Sequence, residues 1–209
     1  VLALGALTFP ALDDSGLGDD GPVELGGAPR VLGGAHEGVV RMVTYNVAGL
    51  PWLVAGSRRG RNMPHIGRLL NAFDLALVQE DFGWHDELSR AARHPFRSRE
   101  GSAAGALSHD GLSTFSTLPF RRLHREAWAS CHGLWNANSD CLAKKGFSVA
   151  EITLAKGARV HVYNLHADAG KRRGDKRGRA AQYAQLATFL ARHSRRHAVI
   201  VAGDTNLKT

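Results

Sequence analysis

Four apolar stretches of this chain end alike, and that shared ending limits the folds open to it. The runs VVRMVTYN (39–46), LALVQE (75–80), RVHVYNLH (159–166) and AVIVAGDTN (198–206) read as extended, core-directed strands. Each closes on groups that a core rejects: Asn46, Glu80, the pair Asn164 and His166, and the pair Asp204 and Asn206. A single such ending is an ordinary strand entering a solvated turn, where Asn and Asp are common. Four of them point to one shared site, because open α/β sheets gather ligand-binding residues outside the carboxyl ends of their strands.

The segments between these runs support a layered α/β chain. After a turn-rich stretch (47–62), Ile66, Leu69, Leu70 and Phe73 fall at i, i+3, i+4 and i+7, which predicts a helix with Pro64 in its first turn. GLSTFSTLPF (111–120), RRLHREAWAS (121–130) and GFSVAEITL (146–154) read as further strands. Residues 180–193 place Tyr183, Leu186, Ala187 and Leu190 on one face, a second helix. Strand, helix, strand units of this kind build α/β layers. The basic run KRRGDKRGR (171–179) reads as a solvated loop leading into that helix, or as a phosphate-contacting surface.

Length and composition allow one sizeable domain: 209 residues, 44% hydrophobic and 22% charged, as in an ordinary globular protein. The excess of 27 Lys+Arg over 19 Asp+Glu, formally +8, favours anionic partners. VLALGALTFPAL (1–12) resembles the apolar part of a secretion signal and is too short to span a bilayer. Residues 13–37 are rich in Gly, Asp and Pro without a period, so 1–37 is expected to be a signal remnant and flexible leader, with a folded domain over 38–209. Cys131 and Cys141 are either bridged around a loop, in an oxidising compartment, or two free thiols in a reducing one.

The shared site has an oxygen-rich inventory. A carboxylate and amide oxygens without thiolates suit a hard cation such as Mg²⁺, or another divalent cation that accepts oxygen ligands. Neither HExxH nor paired CxxC is present, which disfavours zinc there. A metal polarising a phosphoryl oxygen, a carboxylate orienting water and a histidine handling a proton would hydrolyse a phosphodiester. His65, His85, His94, His109, His124, His132, His161, His193 and His197 are scattered without ligand spacing and read as surface or half-buried structural residues.

TYNVAGLP, LALVQED, DGLSTFS, YNLHADAG and VAGDTN, in this order, resemble the endonuclease/exonuclease/phosphatase superfamily, over roughly Val39 to the end. The resemblance implies an α/β (α+β) four-layer sandwich, two packed mixed β-sheets flanked by helices. It implies metal binding by Asn46 and Glu80, and catalytic roles for His166, Asp204 and Asn206. His166 would hydrogen-bond the reacting phosphate or protonate the leaving oxygen; Asp204 would position the attacking water or its base; Asn206 would hold a phosphate oxygen. Asn164 and Asp110 would contact substrate, with Leu165 standing where the family has Thr. Family members continue past Gly-Asp-x-Asn to a late Asp-His pair, so the resemblance also implies that the domain is truncated at the C-terminus.

Within the superfamily, CLAKKGFSVAEITL (141–154) before GARVHVYNLHADAG (157–170) looks like the secreted sphingomyelinase and phospholipase C branch. That implies a secreted monomer acting on a phospholipid phosphodiester, with peripheral membrane contact; Trp135 reads as a half-buried loop aromatic or, in second place, as a residue touching the lipid interface. A DNase-like endonuclease whose basic run tracks nucleic acid is the alternative. A third reading is a binding module of the same fold with impaired turnover.

Overall fold

The computed structural model describes residues 3–9, 38–50, 59–98, 109–132, 144–154 and 157–207, the first of these as backbone alone. Its elements are β1 (Ala3–Phe9), β2 (Gly38–Asn46), α1 (Arg59–Leu70), β3 (Leu75–Gln79), α2 (His85–Ala91), β4 (Phe96–Arg97) and β5 (Ser113–Ser116). They continue with β6 (Phe120–Ala127), β7 (Gly146–Thr153), β8 (Arg159–His166), α3 (Arg173–His193) and β9 (Ala198–Asp204). One sheet has the order β1-β2-β3-β5-β4 and the other β6-β7-β8-β9. Both are mixed: β2/β3 and β8/β9 pair in parallel, while the remaining neighbours are antiparallel.

Strand alternation builds three apolar layers between four structural ones. Leu75 and Leu77 of β3 meet Ile152 of β7 and Val160 and Val162 of β8, filling the space between the sheets. The opposite faces turn outward: Val43, Ala76, Val78 and Phe115 pack under Met63, Ile66 and Leu70 of α1 and Leu88 of α2. On the other side Phe147, Val149, Tyr163 and Leu165 pack under Leu186 of α3. Tyr163, Phe147, Phe115 and Leu77 are no more than 1% exposed, and burying each contributes about 1.5–3 kcal/mol. The architecture is helix, sheet, sheet, helix, the four-layer sandwich that the resemblance implied.

Two local expectations differ, both at helix boundaries. The first helix begins earlier than the apolar spacing indicates, so Pro64 lies inside it, Leu69 points to solvent, and Phe73 follows the helix while still packing on its core. The last helix starts at Arg173, so most of the basic run is helical. Its first turn is held by Asp175, whose Oδ2 accepts the Arg172 N–H at 2.8 Å and whose Oδ1 lies 2.7 Å from His132 Nδ1. Residues 3–9, read as part of a leader, form an antiparallel edge strand that satisfies the outer backbone groups of β2. A leader boundary concerns processing, and this pairing does not test it. Trp135 lies outside the described residues.

Candidate active site

The parallel pairs β2/β3 and β8/β9 point their carboxyl ends the same way, and the site forms where these ends meet. Asn46 closes β2, Glu80 follows β3, and His166 and Asp204 close β8 and β9 as register partners. The two sheets are joined here by one amide: Asn46 Nδ2 donates to Glu80 Oε1 at 2.9 Å and to Asp204 Oδ2 at 2.9 Å. Asn46 Oδ1 accepts the Ala48 N–H at 2.9 Å, which fixes the side chain's orientation. His166 Nε2 stands 3.8 Å from Glu80 Oε1 and 3.9 Å from Asp204 Oδ2.

Backbone strain is concentrated at the same place. Ala48, Glu80 and Asn206 have φ of 51°, 57° and 49°, a left-handed conformation that costs a non-glycine residue about 1–2 kcal/mol. Among the described residues a fourth such residue, Arg122, lies in the irregular register of β6. Gly203 has φ 142°, and a Cβ there would meet Leu165 O at 2.1 Å. Only glycine lets β9 lie this close to β8, which explains why an apolar strand runs through Gly203 just before Asp204.

The electrostatics divide the roles. Burial, then the Lys145 ammonium, push His166 well below the usual imidazole range, against the smaller opposing effect of Asp204, so the ring is neutral at pH 7. Its Nδ1 is buried without a hydrogen-bond partner, and the oxygens nearest Nε2 belong to carboxylates; both facts favour the Nε2–H tautomer. Burial raises Asp204, but the Asn46 amide, the Asn206 N–H, His166 and Lys145 together hold its carboxyl below the usual range.

The other expected residues fall in different places. Asn206 sits beside the cluster, its N–H on Asp204 Oδ1 at 3.0 Å and its Nδ2 on Ala167 O at 2.9 Å. It borders a groove of about 500 Å³ whose lining includes Lys171, Lys176, Arg179 and Tyr183. Asn164 does not face the cluster. It is 1% exposed, accepts Gln79 Nε2 at 2.7 Å, and donates to Val78 O and Ser113 O at 3.0 and 3.2 Å, tying one sheet to the other. Asp110 lies at this end of the molecule, but both its carboxylate oxygens accept Arg125 Nη1, at 2.6 and 2.7 Å. Lys145, whose charge acts on both His166 and Asp204, was not singled out from the sequence; nothing in its Lys-Lys-Gly context marks a lysine only 9% exposed. Trp128, whose Nε1 donates to His166 O at 2.7 Å, carried no sequence signal either.

No protein-family model matches the chain. Sphingomyelinases of Mycobacterium tuberculosis and Mycobacterium bovis are 35% identical to it over 174 residues. That match takes in 80% of this chain and 34% of theirs, so the chain spans about a third of the length of these curated relatives. Among solved structures, a Staphylococcus aureus β-toxin variant with bound magnesium ions superposes with a TM-score of 0.68 at 21% identity, over 81% of this chain and 66% of that one. Sphingomyelinase C from Streptomyces griseocarneus gives 0.65 at 22% identity, over 80% and 64%. With five ordered motifs, the four-layer sandwich and the convergence of Asn46, Glu80, His166 and Asp204 on one spot, the chain belongs to the endonuclease/exonuclease/phosphatase (DNase-like) superfamily, with sphingomyelinases as its relatives.

Proposed function

We propose that the protein is a divalent-metal-dependent phosphodiester hydrolase that cleaves the head group from sphingomyelin or a similar phospholipid. The observation that carries this reading is the Asn46 amide holding Glu80 and Asp204 together, with the buried His166 ring 3.8 and 3.9 Å behind their oxygens. The Glu80 and Asp204 carboxylates form a hard-oxygen set with net negative charge, which fits Mg²⁺. Glu80 would hold the ion, joined by Asn46 once its Oδ1 turns from the Ala48 N–H toward the carboxylates, and the ion would polarise a phosphoryl oxygen and offset its growing charge.

The remaining steps fall to the chain's own side chains. Asp204, kept ionised, would orient the attacking water and take its proton as the new O–P bond forms, and that proton would pass through solvent to the lipid alcohol oxygen as its P–O bond breaks. His166 would present Nε2–H to a phosphate oxygen during the displacement. The groove with Lys171, Lys176 and Arg179 offers positive charge beside Asn206 to an anionic surface or the phosphodiester itself. The same groove favours a second reading, cleavage of a nucleic-acid backbone. Disulfide-bonded Cys131 supports an oxidising, extracellular location. Among the described residues no helix is long and apolar enough to cross a membrane.

The test is product analysis with the purified protein and Mg²⁺, on sphingomyelin vesicles in parallel with plasmid DNA. Release of phosphocholine with intact plasmid is expected; nicked plasmid with intact lipid would transfer the assignment to the nuclease reading. Glu80→Gln should lower hydrolysis by about 10²-fold or more, the equivalent of several kcal/mol of lost charge stabilisation. Normal turnover by that variant would remove Glu80 from the metal site.

A further inference from the structure

Sheet β6-β7-β8-β9 carries a second cluster on its other face, the face covered by α3. Glu151 of β7 and His161 of β8 are register partners there, and His197 stands in the turn leading into β9. His161 is five residues before His166 on β8, about 16 Å away along the strand, and points to the opposite face. The cluster therefore shares no atom with the active site.

Glu151 is a buried carboxylate with one oxygen hydrogen-bonded and the other held only by an ion pair. Its Oε1 accepts Arg121 Nε at 2.7 Å and Arg159 Nη1 at 3.5 Å. Its Oε2 is buried without any hydrogen bond. The nearest charged or titratable atoms to Oε2 are Arg122 Nη1 at 3.5 Å and His161 Nε2 at 3.8 Å. No choice of tautomer repairs this, since 3.8 Å is beyond hydrogen-bonding distance even with the proton on Nε2.

His161 is held as a metal-ligating histidine is held. Its Nδ1 lies 2.7 Å from Ser194 Oγ, which in turn lies 2.6 Å from Tyr163 OH. With Nδ1–H donating to that hydroxyl pair, the Nε2 lone pair faces Glu151 Oε2, so two acceptors confront each other across a gap that a cation would fill. The exposed His197 ring stacks on His161 with centroids 3.9 Å apart, and one ligand atom from each of the three residues lies within 4.8 Å of the others. His193 lines the same cavity of about 110 Å³.

We propose that Glu151 Oε2, His161 Nε2 and His197 form a zinc site, with the fourth position open to solvent or to His193. Two imidazoles and one carboxylate are a common zinc donor set; tetrahedral bonds of about 2.0–2.2 Å draw Glu151 Oε2 and His161 Nε2 closer than their 3.8 Å and require the exposed His197 ring to leave its stack on His161 and turn a nitrogen toward them. Arg121, Arg122 and Arg159 surround the carboxylate and work against any cation. That excludes Mg²⁺ or Ca²⁺, which gain little from imidazole, and leaves a metal whose bonds to nitrogen compensate. Bound zinc fastens the turn between α3 and β9 to the middle of the sheet.

Chelator-stripped protein titrated with Zn²⁺ by calorimetry, and with Co²⁺ followed by visible absorption, tests the site without reference to turnover. In the Glu80→Gln variant, which lacks the carboxylate proposed to hold the active-site ion, one equivalent should still bind, with a cobalt spectrum typical of low coordination number, and Zn²⁺ should raise its melting temperature; the His197→Ala comparison is made in that background. His197→Ala removes an exposed ligand, so its metal-free melting temperature should match that of its parent while its zinc affinity falls by at least about tenfold. The proposal is overturned if the wild type takes up no zinc, if His197→Ala binds it as tightly, or if the equivalent disappears in Glu80→Gln instead.

Discussion

His94 shows how one buried ring can make the stability of this fold depend on pH. It is 2% exposed, its Nε2 is 2.9 Å from Phe73 O, and its Nδ1 is buried without a hydrogen-bond partner. Burial, the largest influence, holds its pKa below the ordinary 6.5, aided by Arg97 and opposed by the Phe73 carbonyl and Asp74. The unfolded chain therefore takes up a proton first as pH falls, and the folded state loses stability from about 6.5 downward until the depressed folded value is passed. His161 and His193 are shifted in the same direction, again chiefly by burial, and add to the slope. We expect His94→Gln, which keeps a donor for Phe73 O, to flatten the fall in urea-denaturation stability below pH 6.5 without abolishing it. An unchanged slope would mean that His94 does not carry the linkage. At this scale the sequence revealed Asn46, Glu80, His166 and Asp204 because each interrupts an apolar run with a group that a core rejects. It concealed Lys145 and the Glu151, His161 and His197 cluster, whose members come from separate elements with no common spacing.

Strand β8 explains why a motif that reads as one site places its two polar residues in different surroundings. Alternation sends Val160, Val162, Asn164 and His166 toward the other sheet, and His161, Tyr163 and Leu165 toward α3. Asn164 and His166 share a face, but only His166 reaches the open end; Asn164 lies one pleat deeper, where Val78, Gln79 and Ser113 use its amide completely. The sequence shows that both are polar at a strand end and cannot show which is spent on joining the sheets. Asn164→Ala should cost about 2–3 kcal/mol in denaturant unfolding, because Gln79 loses an acceptor and two buried carbonyls lose a donor. KM of the folded fraction should stay unchanged. A rise in KM without loss of stability would instead restore Asn164 as a substrate contact. The helices were legible only where an apolar stripe marks them. The start of α3 depends on Asp175 and on the burial of Gly178 and Arg179, none of which has apolar periodicity.

At the scale of the whole molecule, the strand, helix, strand pattern made the parallel pair β2/β3 legible, but not the insertion of β5 between β3 and β4, since antiparallel neighbours leave no mark in the order of elements. The placement of the candidate active site follows from that architecture. Asn46 and Glu80 come from one sheet and His166 and Asp204 from the other, so the site depends on how the sheets pack across Leu75, Leu77, Ile152, Val160 and Val162. A ligand that binds this site binds only the folded arrangement of both sheets, and it must therefore stabilise the entire fold. Mg²⁺ at a hundred times its dissociation constant should add about 2.7 kcal/mol. For a chain of this size that is a rise in melting temperature of roughly 5–10 °C. Glu80→Gln should lose most of the rise, while His197→Ala should keep all of it, since its cluster lies on the far face of the other sheet. Calorimetric melting of the three proteins with and without Mg²⁺ measures this directly. A full shift in Glu80→Gln would show that the cation binds away from the junction of the two sheets.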